Sequence, residues 1–214
     1  MSKISLKHSG GNVVSLNSPT SAPTSADVAF KLPNADGSAG QYMKTDGSGN
    51  LAFATLPAAG ITMADQWRIN SSFTFSTSYT DITSNWERVD TDGYGQLGTG
   101  MTESSGIFSF PSTGIYLITF FGNVQRNSGN DRFGEINLYT TVDNSSYSEA
   151  ATSYACAPSQ YNRGAIALNF IFDVTNVSTH KLKFKQYENH GTLNFLGSTD
   201  INLNSTTFIR LGDT

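Results

Sequence analysis

The chain has 214 residues, 14% of them charged, with a formal charge of −4 and no block of Lys or Arg, so the basic footprint that a phosphate backbone requires is missing and nucleic acid is excluded as a partner. No apolar run reaches the roughly 18 residues of a spanning helix, which argues against membrane insertion. Abundant Ser, Thr, Asn and Gly with 12% aromatics suit pleated, half-buried surfaces, an all-β composition.

Four of the six prolines fall in the first sixty residues. There, residues 3–16 alternate loosely (Ile4, Leu6, Val13, Val14, Leu16) around Gly10-Gly11 and predict a short strand or ribbon. SLNSPTSAPTSAD (15–27) is too poor in apolar residues to offset the entropy of ordering and reads as a linker. The short apolar pieces VAFKL (28–32), QYMK (41–44) and NLAFATL (50–56) follow, separated by Asp36-Gly37-Ser38 and its repeat Asp46-Gly47-Ser48. Asp-Gly supplies the positive φ of tight turns, which predicts small β-hairpins. Such a ribbon is marginal alone. Its larger apolar residues, Phe30, Leu32, Tyr42, Leu51 and Phe53, therefore need cover from sister chains or from a larger particle, and residues 1–60 read as an extended attachment or stalk segment.

From residue 61 the texture changes. GITMADQWRI suggests a short helical turn, after which strand-like runs arrive at sandwich spacing: FTFSTSYTDI, WERV, GIFSF, GIYLITFFGNV, FGEINLYTTV and AATSYACA. In AIALNFIFDV, Ile166, Leu168, Phe170, Phe172 and Val174 share one face, with Ala165, Ala167 and Asn169 opposite, a period of two that marks a strand with one buried side. HKLKFKQYE sets Lys181, Lys183 and Lys185 against Leu182 and Phe184, so one face should meet water. INLNSTTFIRL closes the chain. About ten strands without an amphipathic helix predict an all-β jelly-roll sandwich over residues 61–214.

Catalytic and metal patterns are absent from the sequence. His8, His180 and His190 lack metal-ligand spacing, and no cofactor motif is present. Asp90-Thr91-Asp92-Gly93 has the carboxylate alternation of a calcium loop, but Tyr94 occupies the third ligand position and no Glu stands at position twelve, so turn chemistry explains it. Asp90, Asp92 and Glu103 supply carboxylates for glycan cleavage without a defined spacing. Cys156 stands alone and reads as a buried small hydrophobe. Trp67, Tyr94 and Tyr161 are candidate exposed aromatics for stacking on sugars or anchoring a protein contact, and Trp86 reads as core. The segments 91–105, 125–132 and 143–163 are the loops where contacts are expected.

The sharpest motif is GIFSFPSTGIYLITF, which orders Gly106, Phe108, Pro111, Gly114 and Tyr116 as G-x-F-x-x-P-x-x-G-x-Y. It encodes a strand ending at Pro111, a turn through Ser112 to Gly114, and a strand whose Tyr116, Ile118 and Phe120 share a face. This resembles the signature of the globular head of the first complement component and its tumour-necrosis-factor-like relatives. The likeness covers residues 64–214 in general and 106–120 specifically, and TTFIRLGD fits the family's last strand more loosely. The resemblance implies a trimeric jelly roll around a threefold axis, with Tyr116 and Phe208 as the axis-facing side chains or, equally, as intrachain core.

KLPNADGSAGQYMKTDGSGNLAF, followed by ITMADQWRI and ITSNWERVD, also looks like surface and tail-fibre proteins of tailed bacteriophages, particularly marine, cyanophage-like ones. The reading that follows is a non-enzymatic homotrimeric fibre. Residues 1–60 attach to other virion proteins, and the head recognises a host-surface glycan or protein. The alternatives are a head fibre or capsid decoration protein that cements the shell, and a glycan-degrading fibre enzyme. With neither a signal-peptide apolar stretch nor a disulfide pair, the expected site is the virion surface, after synthesis in the host cytoplasm without secretion.

Overall fold

The computed structural model describes residues 3–17, 20–21, 30–55, 60–128 and 133–214, so most of the 15–27 linker and the start of VAFKL lie outside the described residues. The chain divides into two compact units, Met1–Ala59 and Gly60–Thr214.

The first unit holds two antiparallel hairpins. β1 (Lys3–Lys7) pairs with β2 (Val13–Asn17), and the register sets Ile4 opposite Leu16 and Leu6 opposite Val14. β3 (Gln41–Thr45) pairs with β4 (Leu51–Thr55). The two Asp-Gly-Ser triplets do different things. Asp46-Gly47-Ser48 turns this hairpin: Gly47 takes φ +80°, and Asp46 accepts the amides of Ser48 and Asn50 at 2.8 and 3.1 Å. Asp36-Gly37-Ser38 joins no strand pair. A Cβ on Gly37 would lie 2.6 Å from the Phe53 ring, so glycine is needed there for close approach rather than for a turn.

In the second unit every regular element among the described residues is a strand. In chain order they are β5 (Met63–Ile69), β6 (Phe73–Thr74), β7 (Thr80–Asp81), β8 (Trp86–Arg88), β9 (Thr102–Ser104), β10 (Ile107–Ser109) and β11 (Gly114–Arg126). β12 (Gly134–Thr141), β13 (Ser148–Ala155), β14 (Arg163–Val174), β15 (Lys181–Glu188), β16 (Leu193–Phe195) and β17 (Ser205–Gly212) complete it. The ITMADQWRI segment is thus strand β5 and not a helical turn, because β17 and β8 pair with it on its two sides and tertiary pairing overrides local propensity. Within the expected 143–163 loop, residues 148–155 likewise form β13, which pairs with β12.

One sheet runs β13-β12-β15-β10-β9, with β7 on β15. The other runs β8-β5-β17-β11 and ends on β14, while β16 and β6 continue the β17 side of β11. This is an all-β jelly roll. Its core is an aromatic seam between the sheets: Phe120 meets Phe184 at 5.4 Å, Phe108 meets Phe208 at 5.3 Å, and Trp67 and Trp86 meet Phe108 edge-on at 5.6 and 5.1 Å. Such pairs contribute about 0.5–1.5 kcal/mol each beyond area burial.

The G-x-F-x-x-P-x-x-G-x-Y stretch builds the centre of the fold. Gly106 (φ +83°) and Gly114 (φ +144°) sit where a Cβ would strike backbone, at Ile82 and at Gly212. The Tyr116 hydroxyl donates to the Ser112 carbonyl at 2.9 Å, tying the 112–114 turn to the strand that leaves it. Tyr116, Ile118 and Phe120 are all buried on one face of β11.

Candidate functional site

The inward alternation of β11 dictates what its other face carries. With Tyr116, Ile118 and Phe120 inward, Ile115, Leu117, Thr119 and Phe121 point away from the core. Strand register then aligns whole rows across the sheet. Ile171 of β14, Leu117 of β11, Ile209 of β17 and Ala64 of β5 form one row. Asn169, Thr119, Thr207 and Gln66 form the next, and Ala167, Phe121, Ser205 and Arg68 the one after. Ile171, Leu117, Ile209, Asn169, Thr119, Thr207, Ala167 and Phe121 make an uncharged patch, flanked by buried Arg68 at the end of the third row and by exposed Asp173 opposite Ile115. Ile171 is 60% exposed and Phe121 54%, and Leu211 is exposed beside them. Exposed Ile171 and Phe121 with half-buried Leu117 and Ile209 form an apolar patch of the composition found at the centre of a protein interface.

Tyr116 and Phe208 are not on this face. Both are completely buried inside the chain, where Tyr116 packs on Phe110 at 4.6 Å and Phe208 on Phe108. An axis-facing role is therefore corrected to an intrachain one. The physical reason is the period of two, which leaves the neighbours Leu117 and Ile209 to face outward.

Trp67 is also corrected from exposed to buried. Its indole N–H donates to Asp65 Oδ2 at 2.9 Å, and the Arg88 guanidinium lies 4.7 Å above its ring. Asp65 is the hub of a polar knot inside the sandwich. Besides Trp67 it accepts the Tyr94 hydroxyl at 2.7 Å, the Met101 amide at 2.7 Å and Arg88 Nε at 3.2 Å. Burial, reinforced by the hydrogen bond to Asp65, pushes the Tyr94 phenol up to about 12, so Tyr94 stays a protonated donor and only its ring is free for contacts. Tyr161 is 70% exposed on the 156–162 turn, at φ +62°.

The carboxylates considered for catalysis or calcium do not converge. Asp90 is bound at 2.7 Å to Arg68, itself only 1% exposed, which also holds Glu87 at 3.3 Å. Glu103 accepts the Gly106 amide at 2.6 Å and so serves the turn before β10. Among the described residues no group of three or more His, Cys, Asp or Glu side chains could hold a metal ion. His180 is buried, stacked on Phe172 at 5.6 Å and bonded to Thr175 and Thr179. Cys156 is exposed, contrary to the expectation of burial, because the alternation that buries Ala155 and Ala157 turns it outward.

In the first unit Tyr42 and Phe53 are each 37% exposed and Leu51 is partly buried, while Phe30 and Leu32 are strongly exposed. Ile4, Leu6 and Leu16, part of the alternation that predicts the ribbon, are strongly exposed on the β1–β2 hairpin.

No protein-family model matches the chain, and no curated protein matches it. Solved structures do. Murine APRIL at pH 5.0 aligns over 70% of this chain and 98% of its own at 13% identity and a TM-score of 0.50. Eiger TNF from S. frugiperda aligns over 72% and 96% at 11% identity and the same TM-score of 0.50. The PRD1 vertex protein aligns over 72% of this chain and all of its own at 19% identity, with a TM-score of 0.44. The second unit therefore has the jelly-roll fold of the tumour-necrosis-factor-like proteins, at an identity that speaks to fold alone.

Proposed function

We propose that the chain is a non-catalytic, homotrimeric virion surface protein of a tailed bacteriophage, whose jelly-roll head projects outward to recognise the host surface while residues 1–60 attach it to other virion proteins. The observation that carries this reading is the uncharged patch on the outer face of the sheet, where Ile171 and Phe121 are exposed and Leu117 and Ile209 half-buried. A second copy of the same chain is its natural cover, since closed self-association hides such a face on every subunit at once. The exposed Ile4, Leu6, Leu16, Phe30 and Leu32 of the first unit fit the same logic. The likeness of residues 31–90 to phage surface and fibre proteins supports the virion setting. Three identical heads on one stalk gain avidity for a repetitive cell surface without high affinity at any one site.

Immunogold labelling of purified phage particles with antibody to the head tests the placement. Label on tail appendages is the expected result. Label confined to the shell would replace the fibre by a capsid decoration protein, and unlabelled particles would overturn the virion setting.

A further inference from the structure

Beside the sheet face described above, the turn after β8 and the loop before β17 line an open pocket of about 310 Å³, at the small end of the roughly 300–1,000 Å³ range of ligand sites. Its walls include Gln66, Asp92, Tyr94, Asp200, Ile201 and Asn202.

The site is stitched into one rigid piece. The Thr91 hydroxyl accepts from buried Arg68 at 2.8 Å and donates to the Asp200 carbonyl at 3.1 Å, which staples the two loops together. Asn202 Nδ2 donates to Gln66 Oε1, and Gln66 Nε2 to Thr207, both at 2.8 Å, which fixes the second loop to β5 and β17. The Tyr94 hydroxyl accepts the Gln66 amide at 3.1 Å while donating to Asp65, so its ring is held as a wall. Asp92 and Gly93 occupy consecutive left-handed positions, φ +56° and +77°, and keep the first turn tight.

What these groups leave unused defines the ligand. Each amide nitrogen of Gln66 and Asn202 spends one N–H inside the protein and retains one. The carboxylates of Asp92 and Asp200 make no hydrogen bond or ion pair within the described chain, and no Lys, Arg or His lines the cavity. Ile201, 55% exposed, and the Tyr94 ring offer apolar surface. Donors and acceptors are thus interleaved beside an apolar wall. Hydroxyls, which both donate and accept, use both kinds of group, whereas an ammonium ion would use only the acceptors. An anion meets two unneutralised carboxylates. A metal ion lacks a third acidic, His or Cys ligand here.

We infer that this cavity is a binding site for a neutral hexopyranose, such as the terminal sugar of a surface glycan, with Asp92 and Asp200 accepting from its hydroxyls, Gln66 and Asn202 donating, and Ile201 and Tyr94 packing on its C–H face. The inference rests on the recognition role proposed above and names the chemistry it reads.

Saturation-transfer NMR and titration calorimetry on the full chain test it, with the methyl glycosides of glucose, galactose and mannose as probes and a methyl sialoside and calcium chloride as controls. At least one neutral glycoside should saturate a site. Asp92→Asn and Asp200→Asn should each weaken it about tenfold, as expected when a charged acceptor for a hydroxyl is lost. Ile201→Ala should weaken it too, and Tyr161→Ala, away from the cavity, should not. All four variants should melt as the parent does, since none removes a hydrogen bond made by a side chain within the protein. Failure of all three glycosides to saturate, wild-type binding by both Asn variants, equal binding of the sialoside, or a response to calcium alone would each overturn the assignment. None of these results would touch the self-association or the virion placement, which sedimentation and labelling read separately.

Discussion

Asp65 shows how a single side chain can organise one end of the sandwich. Its carboxylate is wholly buried, and its donors come from β5, β8 and the 94–101 loop. Asp65→Ala would orphan the Trp67 indole N–H, the Tyr94 hydroxyl and the Met101 amide together, a loss of about 3–5 kcal/mol that chemical denaturation would register. Asp143 works at the surface and shows in pH. The Ser146 amide, then the Ser145 amide and the Thr141 hydroxyl, hold its carboxyl well below the usual carboxylate range. A depressed folded value means the contribution is complete above the ordinary value of 3.8 and is lost as pH falls through the folded one. Melting curves should therefore show Asp143→Asn less stable than the parent at neutral pH, with the gap narrowing in acid. Residue identity alone carried little of this. With GITMADQWRI read as a helical turn, Asp65 and Trp67 do not share a face; as strand β5 the period of two sets them on the same side, where the indole meets the carboxylate.

At the scale of elements, alternation was the most legible signal. The inward sets of β11 and β14 follow directly from GIYLITFFGNV and AIALNFIFDV, with Ile166, Leu168, Phe172 and Val174 buried and Phe170 half-buried. The outward sets carry less by themselves, because their meaning depends on which strands become neighbours. Ile171, Leu117 and Ile209 lie far apart in the chain and form a row only through pairing. The lysines of β15 show the same limit: Lys183 and Lys185 do not simply face water but sit over Tyr147 and Tyr139 and reach Asp81 at 2.7 and 3.7 Å. The two Asp-Gly-Ser triplets are identical as strings, yet only the second has paired strands on both sides. The row yields a sharp test. Leu117→Lys or Ile171→Lys puts a charge on the patch, where burying what the single chain leaves exposed of the parent side chain would contribute about 1–3 kcal/mol, so either should weaken self-association by roughly ten- to a hundredfold. Circular dichroism should show the folded head unchanged in both, since neither side chain enters the core.

For the whole molecule, composition and strand spacing were enough to reach an all-β jelly roll, and the G-x-F-x-x-P-x-x-G-x-Y order pointed to the same fold that APRIL and Eiger share. Composition also shifts near residue 60, where the chain divides into its two units. Hidden from the sequence was the cavity between the turn after β8 and the loop before β17, since Asp92 and Asp200 are brought together only by folding. In the proposed function, the apolar patch around Leu117 and Ile171 is covered by other copies of the chain. Sedimentation equilibrium of the full chain, run beside its Leu117→Lys variant, reads this directly. Three chains per particle for the parent and a lone folded chain for the variant are the predicted result, and a parent that sediments as a single chain at every concentration would contradict it.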